Sequence, residues 1–257
     1  MKPNRYNVPA LEKGLLIIET LARSDQPLGI TDLYALCGLP KSSVFMILST
    51  LEDLKFVEKL SGDKYKLTLK LYNLGELILN KLDIRAVAHP YMEQVAAKLG
   101  STVHLAQLEF GKAVYIDKVN GPGFVQFSSK IGLAWSLHTS AVGKALAAYL
   151  PEKELDRILE VHGMESITPN TITEPAALKA SLEKVRVNGY SVEDEEGELG
   201  IRCIGAPIRD SKGEVVAAIS VTALKHDLPS DKFGEVGAYI ADVAMEISRG
   251  IGYSANG

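Results

Sequence analysis

In the segment that follows Pro40, Lys41, Ser42, Ser43, Met46, Ser49 and Thr50 share one side of a helical repeat. One cation and several short hydroxyls make a face that can meet phosphate oxygens and base edges, because hydroxyls donate and accept while the cation neutralises phosphate. Further on, Ser140 stands close to His138, and an acid, Glu193, follows. These are the residue types of a nucleophile, a base and an orienting acid, yet no G-x-S-x-G elbow encloses Ser140 and nothing in the spacing turns the histidine towards the hydroxyl. The run TSAVGKAL has the Gly143-Lys144 pair of a phosphate loop but neither its leading glycine nor a Ser or Thr after the lysine, so nucleotide hydrolysis has no support. His89, His104, His138 and His162 form no i, i+4 pair, the two cysteines Cys37 and Cys203 are far apart, and no G-x-G-x-x-G occurs. The sequence implies neither a metal nor another cofactor, and its cysteine usage fits a reducing cytoplasm.

The elements that must carry the first face read as a helix-turn-helix. Thr31 can cap a short helix with Leu33 and Leu36 on one side, Gly38 can take the turn, and the second helix presents Val44, Ile47, Leu48 and Leu51 to a core at i, i+3, i+4 and i+7. An ordinary helical hairpin with a solvated face would show the same spacing. Before it, Leu11, Leu15, Ile18 and Leu21 recur as on a packing helix. After it, FVEKLSGDKYKLTL reads as two strands around Ser61, Gly62 and Asp63, a wing whose turn is flanked by Lys59, Lys64 and Lys66. From Leu69 to Ile84 apolar residues recur on more than one helical face, which predicts a connecting helix covered by its own domain or by a second subunit.

The 257 residues suffice for two cores, and no window reaches the apolar length of a membrane span. The net charge of −4 divides unevenly at Gly75: 10 Lys and Arg against 8 Asp and Glu before it, 18 against 24 after it, so +2 and −6. The first part is the one suited to nucleic acid, although so small a difference is only supporting. Beyond Ala88 helices and strands mix: a helix from Pro90 to Leu99, strands TVHLAQL and AVYIDKV, helices over 140–150, 151–162 and 174–188, strands over 190–194, 202–209 and 215–222, and a closing helix over 231–249. The expected fold is a two-domain α+β protein, with residues 1–70 as the winged helix-turn-helix, 71–88 as a linker helix and 89–257 as the second domain.

Nearly end to end, the chain resembles the IclR-type family of bacterial transcription regulators. The likeness is carried by ALEKGLLIIETLA, the helix-turn-helix, YKLTLKLYNLG, LHTSAVGKALAAYL and NGYSVEDEEGELGIRCIGAPIRDSKGEVVAAISVT. The resemblance implies a GAF-like α/β effector-binding domain after the linker, binding to double-stranded operator DNA as a homodimer or dimer of dimers, and a small organic acid as effector. It also implies pocket positions: the backbone amides of Ala141 and Val142, Glu193, Cys203, and the hydroxyls of Ser220 and Thr222. Leu133, Trp135 and Leu137 would form an apolar wall, and His138 would touch the effector or cap the following helix. Taken without the resemblance, Cys203 reads as a small buried strand residue, Ser220 and Thr222 as solvent-facing, and Glu193 to Glu198 as a solvated acidic turn.

Two positions depart from the family pattern. Glu193 replaces the usual aspartate, which reshapes the cavity, and Met46 follows Phe45 where an arginine is typical, which removes a phosphate or guanine contact and offers a surface for a thymine methyl. The function expected is an effector-responsive DNA-binding regulator, a repressor of a catabolic operon sensing a sugar acid, keto acid or aromatic acid. The alternative is a small-acid sensor or hydrolase whose N-terminal module serves assembly.

Overall fold

The computed structural model describes residues 8–79, 83–123 and 126–254. They form two compact units, residues 8–79 in the first and the rest in the second. The first unit contains α1 (Pro9–Arg23), β1 (Leu28–Gly29), α2 (Ile30–Cys37), α3 (Lys41–Asp53), β2 (Val57–Leu60), β3 (Lys64–Leu67) and α4 (Lys70–Leu79).

Helices α2 and α3 meet at 115°, within the range of a helix-turn-helix, and Gly38 makes the turn at φ 67°, a left-handed value that glycine adopts without a Cβ penalty. Leu33, Val44, Leu48 and Ile17 are fully buried and share one core with Leu21, Leu51, Val57 and Tyr65. The packing face of α1 is therefore Ile17 and Leu21, with Ile18 against them; Leu11 and Leu15 are more than half exposed. Leu36 is also exposed: α2 meets the core through buried Leu33, with Ile30 and Cys37 packed beside it. Thr31 is not the cap expected: Gly29 is the N-cap, and Asp32 reaches back to accept from the Gly29 amide at 2.8 Å, leaving Thr31 exposed in the first turn. The wing is a three-stranded antiparallel sheet of order β1-β3-β2, its turn at Gly62 and Asp63 held at positive φ.

The second unit contains α5 (Asp83–Leu99), β4 (Thr102–Glu109), β5 (Lys112–Val119), β6 (Ala134–Trp135), α6 (Ala141–Ala147), α7 (Glu152–His162), α8 (Pro175–Asn188), β7 (Ser191–Asp194), β8 (Ile201–Arg209), β9 (Val215–Leu224), a 3-10 turn at Ser230–Lys232 and α9 (Phe233–Gly250). The linker helix expected over 71–88 is divided between α4 and α5, with residues 80–82 outside those described. Pro90 lies inside α5 instead of opening a helix, so the expected boundary after residue 88 falls within that helix.

The six strands form one antiparallel sheet of order β6-β5-β4-β9-β8-β7. Helices α6, α7 and α8 supply the apolar layer over one face, where Ala106 and Ala218 meet Val142, Leu146, Leu178 and Leu182. Gly205 lets α6 approach the sheet: a Cβ there would stand 3.0 Å from the carbonyl carbon of Ala141. Buried Lys144 ties α6 to β7, donating to the Val192 carbonyl at 3.0 Å and to Glu196 Oε1 at 2.5 Å. This lysine is committed to the core, which removes the phosphate-loop reading of Gly143-Lys144. Among the described residues no single helix is long and apolar enough to cross a membrane.

Candidate functional site

Two regions bring together the residues singled out by the sequence. In the first unit, α3 exposes Lys41, Ser42, Met46, Ser49 and Thr50, while Ser43 is half-buried. Phe45, not among the residues expected on this face, is 56% exposed, and Met46 is 61% exposed. The cations are less free than their number suggests. Lys59 pairs with Asp63 at 2.7 Å, Lys64 with Asp32 at 2.5 Å and Lys66 with Glu58 at 2.7 Å. The Lys59 contact holds the Asp63 carboxyl below its ordinary value and raises the lysine, and Lys64, followed by the Gly29 amide, likewise lowers Asp32. Lys41 holds its ammonium 5.7 Å from the Tyr34 ring centre, and the Thr50 hydroxyl is spent on the Met46 carbonyl at 3.0 Å.

In the second unit, a cavity of about 280 Å³ lies where β7, β8, β9 and β4 present consecutive cross-strand partners: Glu193 opposite Cys203, Cys203 opposite Thr222, Thr222 opposite Thr102. Glu193, Cys203, Thr222 and Leu133 line it, as do His104, Tyr115, Phe127, Trp135, Thr139 and Ser140. Ala141, Val142 and Ser220 do not. The Val142 side chain enters the apolar core, the Ala141 carbonyl accepts from the Ser191 hydroxyl at 2.7 Å, and Ser220 lies one row away beside Gly205, where α6 approaches the sheet. Leu137 is likewise a core residue and not part of the wall. Ser140 is the N-cap of α6: its Oγ accepts from the Gly143 amide at 3.1 Å and donates to the Ser136 carbonyl at 3.2 Å. The His138 ring is 3.1 Å from the Glu165 carbonyl through Nε2, so it neither lines the cavity nor caps the helix, and the Ser-His pairing a hydrolase needs is not formed.

The acidic turn after β7 is buried at Glu195 and Glu196 and exposed at Glu198. The Glu193 Oε1 accepts from the amides of Glu196 at 2.5 Å and Gly197 at 3.0 Å, and Glu195 takes a left-handed φ of 60°. Desolvation pushes the Glu193 carboxyl above its ordinary range despite those donors. The Cys203 thiol, 3.4 Å from the Thr222 hydroxyl, is pushed well up by the same cause and by its neighbour Glu193. His104 stacks on Tyr115 with ring centres 4.2 Å apart and joins two elements, its Nδ1 3.2 Å from the Thr222 hydroxyl and its Nε2 2.7 Å from that of Ser129. Burial, then the Lys118 charge, lowers this imidazole to about 3, so it stays neutral at physiological pH. The Trp135 Nε1 is buried without an acceptor among the described residues. The wall thus offers carboxyl, hydroxyl, thiol and indole groups among aromatic rings, a composition suited to a small oxygenated molecule.

The helix-turn-helix model of the IclR family matches residues 10–61, and the model of the C-terminal part of bacterial IclR transcriptional regulators matches residues 76–249. The chain belongs to the IclR family of bacterial transcription regulators. It is 33% identical over 248 residues to the transcriptional repressor AllR of Escherichia coli K12, covering 96% of this chain and 92% of AllR. To the transcriptional regulator XynR of the same strain it is 30% identical over 249 residues, covering 96% of this chain and 99% of XynR. The Thermotoga maritima IclR crystal structure superimposes with a TM-score of 0.76 at 33% identity, covering 95% of this chain and 98% of that one. The winged helix-turn-helix and the α/β domain are thus those of an IclR regulator.

His104 and Tyr115 were not legible as site residues. Their place follows from β4 lying between β5 and β9, which brings His104 to Thr222 across 118 positions. Alternation within β4 shows which residues share a face, not which face meets a cavity.

Proposed function

We propose that the chain represses a catabolic operon by holding operator DNA with the winged module of its first unit, and that a small organic acid entering the second unit's cavity releases it. The observation that carries this reading is the cross-strand row Glu193-Cys203-Thr222 on the wall of a cavity of about 280 Å³. A ligand there has the Thr222 hydroxyl and the Glu193 carboxyl for its oxygens, and aromatic rings for the remainder. The first two amides of α6, those of Ala141 and Val142, come directly after the lining residues Thr139 and Ser140 and can serve a carboxylate through the backbone. That AllR is a repressor supports the direction of control. The chain would act as a homodimer or dimer of dimers in the cytoplasm, and effector binding would change the spacing of its two DNA-reading modules relative to the operator half-sites. A hydrolase gains no support, because Ser140 and His138 are each bonded elsewhere.

A thermal-shift screen against sugar acids, keto acids and aromatic acids tests the ligand side, since a molecule that binds only the folded state raises its melting temperature. The expected result is a rise with one class that also weakens a gel shift on upstream DNA. A ligand that raises the melting temperature and leaves DNA binding unaltered would contradict the coupling.

A further inference from the structure

We propose that Phe45 and Met46 read thymine 5-methyl groups in the major groove, so that apolar contact sets part of this regulator's operator preference. The inference rests on the DNA-binding reading above and adds what the second helix of the motif recognises. On a helix of 3.6 residues per turn, Ser42 and Ser49 run down the middle of the exposed face of α3, with Phe45 on one flank and Met46 on the other. Both flanking side chains keep more than half their surface in water, 56% and 61%. Phe45 and Met46 thus put large apolar surface beside serines on the face that a helix-turn-helix lays into DNA, with Met46 also bordering a groove against α1, and the thymine methyl is the apolar group that the major groove displays. A phenyl ring offers it a flat contact, and the unbranched thioether of Met46 adapts to its position.

The charge pattern favours the same occupant. The wing lysines are paired with acids of their own module, and Lys41, at the first turn of α3, is the cation on this face. Discrimination by a bidentate cation on guanine has no residue at positions 45 or 46 to perform it, while Ser42 and Ser49 remain able to bond base edges between the two methyl contacts.

The test replaces the methyl group alone. DNA that the full-length protein selects from a random pool is compared, by fluorescence anisotropy, with the same sequence carrying uracil for every thymine. The wild-type protein should bind the uracil form about fourfold more weakly for each thymine methyl that it touches. The double variant Phe45→Ala/Met46→Ala should bind both forms alike, and Met46→Arg should move the selected sequences towards guanine. Both residues lie outside the buried core, so the variants keep the fold. Equal wild-type affinity for the two forms would overturn the proposal while leaving DNA binding intact. Persistence of the uracil effect in the double variant would overturn it too, by assigning that effect to DNA stiffness. If no sequence is selected even at about 50 mM salt, the proposal falls together with the DNA-binding reading beneath it.

Discussion

Glu193 is a carboxyl taken out of water, bonded to two amides of its own turn, and held above the ordinary range by desolvation. The native state keeps a proton there at pH values where the unfolded chain has released it. The resulting stability is complete below the unfolded value near 4.5 and is lost as pH rises through the raised native value. Glu193→Gln keeps an acceptor oxygen for the amides and removes the charge, so calorimetry at pH 7 should show a melting temperature higher by roughly 2–4 °C, with the gain fading towards about pH 4. His104 acts in the opposite sense. Its native value of about 3 lies below the unfolded 6.5, so its contribution is whole above 6.5 and is lost as pH falls. Cys203→Phe fills the cavity wall: ligand-induced thermal shifts should vanish while gel shifts persist, and loss of both would make Cys203 a purely structural residue. Of the wall residues, Leu133, Trp135, Glu193, Cys203 and Thr222 could be named from the sequence once the family likeness was seen. Ser220 could not be separated from Thr222, because period-two spacing puts both on one face and only the descent of α6 at Gly205 distinguishes them.

Among the elements, the wing carries cations that its own acids already engage. Releasing Lys59 by Asp63→Asn should therefore raise DNA affinity at low salt and steepen the slope of log K against log salt by about one. An unchanged slope in anisotropy titrations would show that the hairpin tip does not meet phosphate. Helix α6 is held by a buried ion pair, and Lys144→Met leaves Glu196 unpaired in the core, an expected loss of about 3–5 kcal/mol in denaturant unfolding. Most of the longer helices and strands were legible from their periods, and the turn between α2 and α3 from Gly38. The two-residue strands β1 and β6 were not, since a pattern of alternation needs more residues than they have. Pro90 misplaced the start of α5 because a proline is so common in a first helical turn.

At the scale of the whole molecule, Leu69, Tyr72, Leu74 and Leu77 leave apolar surface exposed on and just before α4. Sedimentation at micromolar concentration should give a dimer or larger, and a strict monomer would leave this surface without a partner. The two-unit organisation and its family were readable from the sequence. The cavity was not, because it depends on how loops between distant strands close over the sheet. In the proposed function, one chain couples an acid-binding cavity to operator DNA. Anisotropy titration of the full-length protein on its own upstream DNA, with and without the acid that raises its melting temperature, tests it most directly. The account predicts saturable, salt-sensitive binding that weakens about tenfold or more when the acid is present, a coupling of about 1.4 kcal/mol. Binding of equal strength with and without the acid would contradict it.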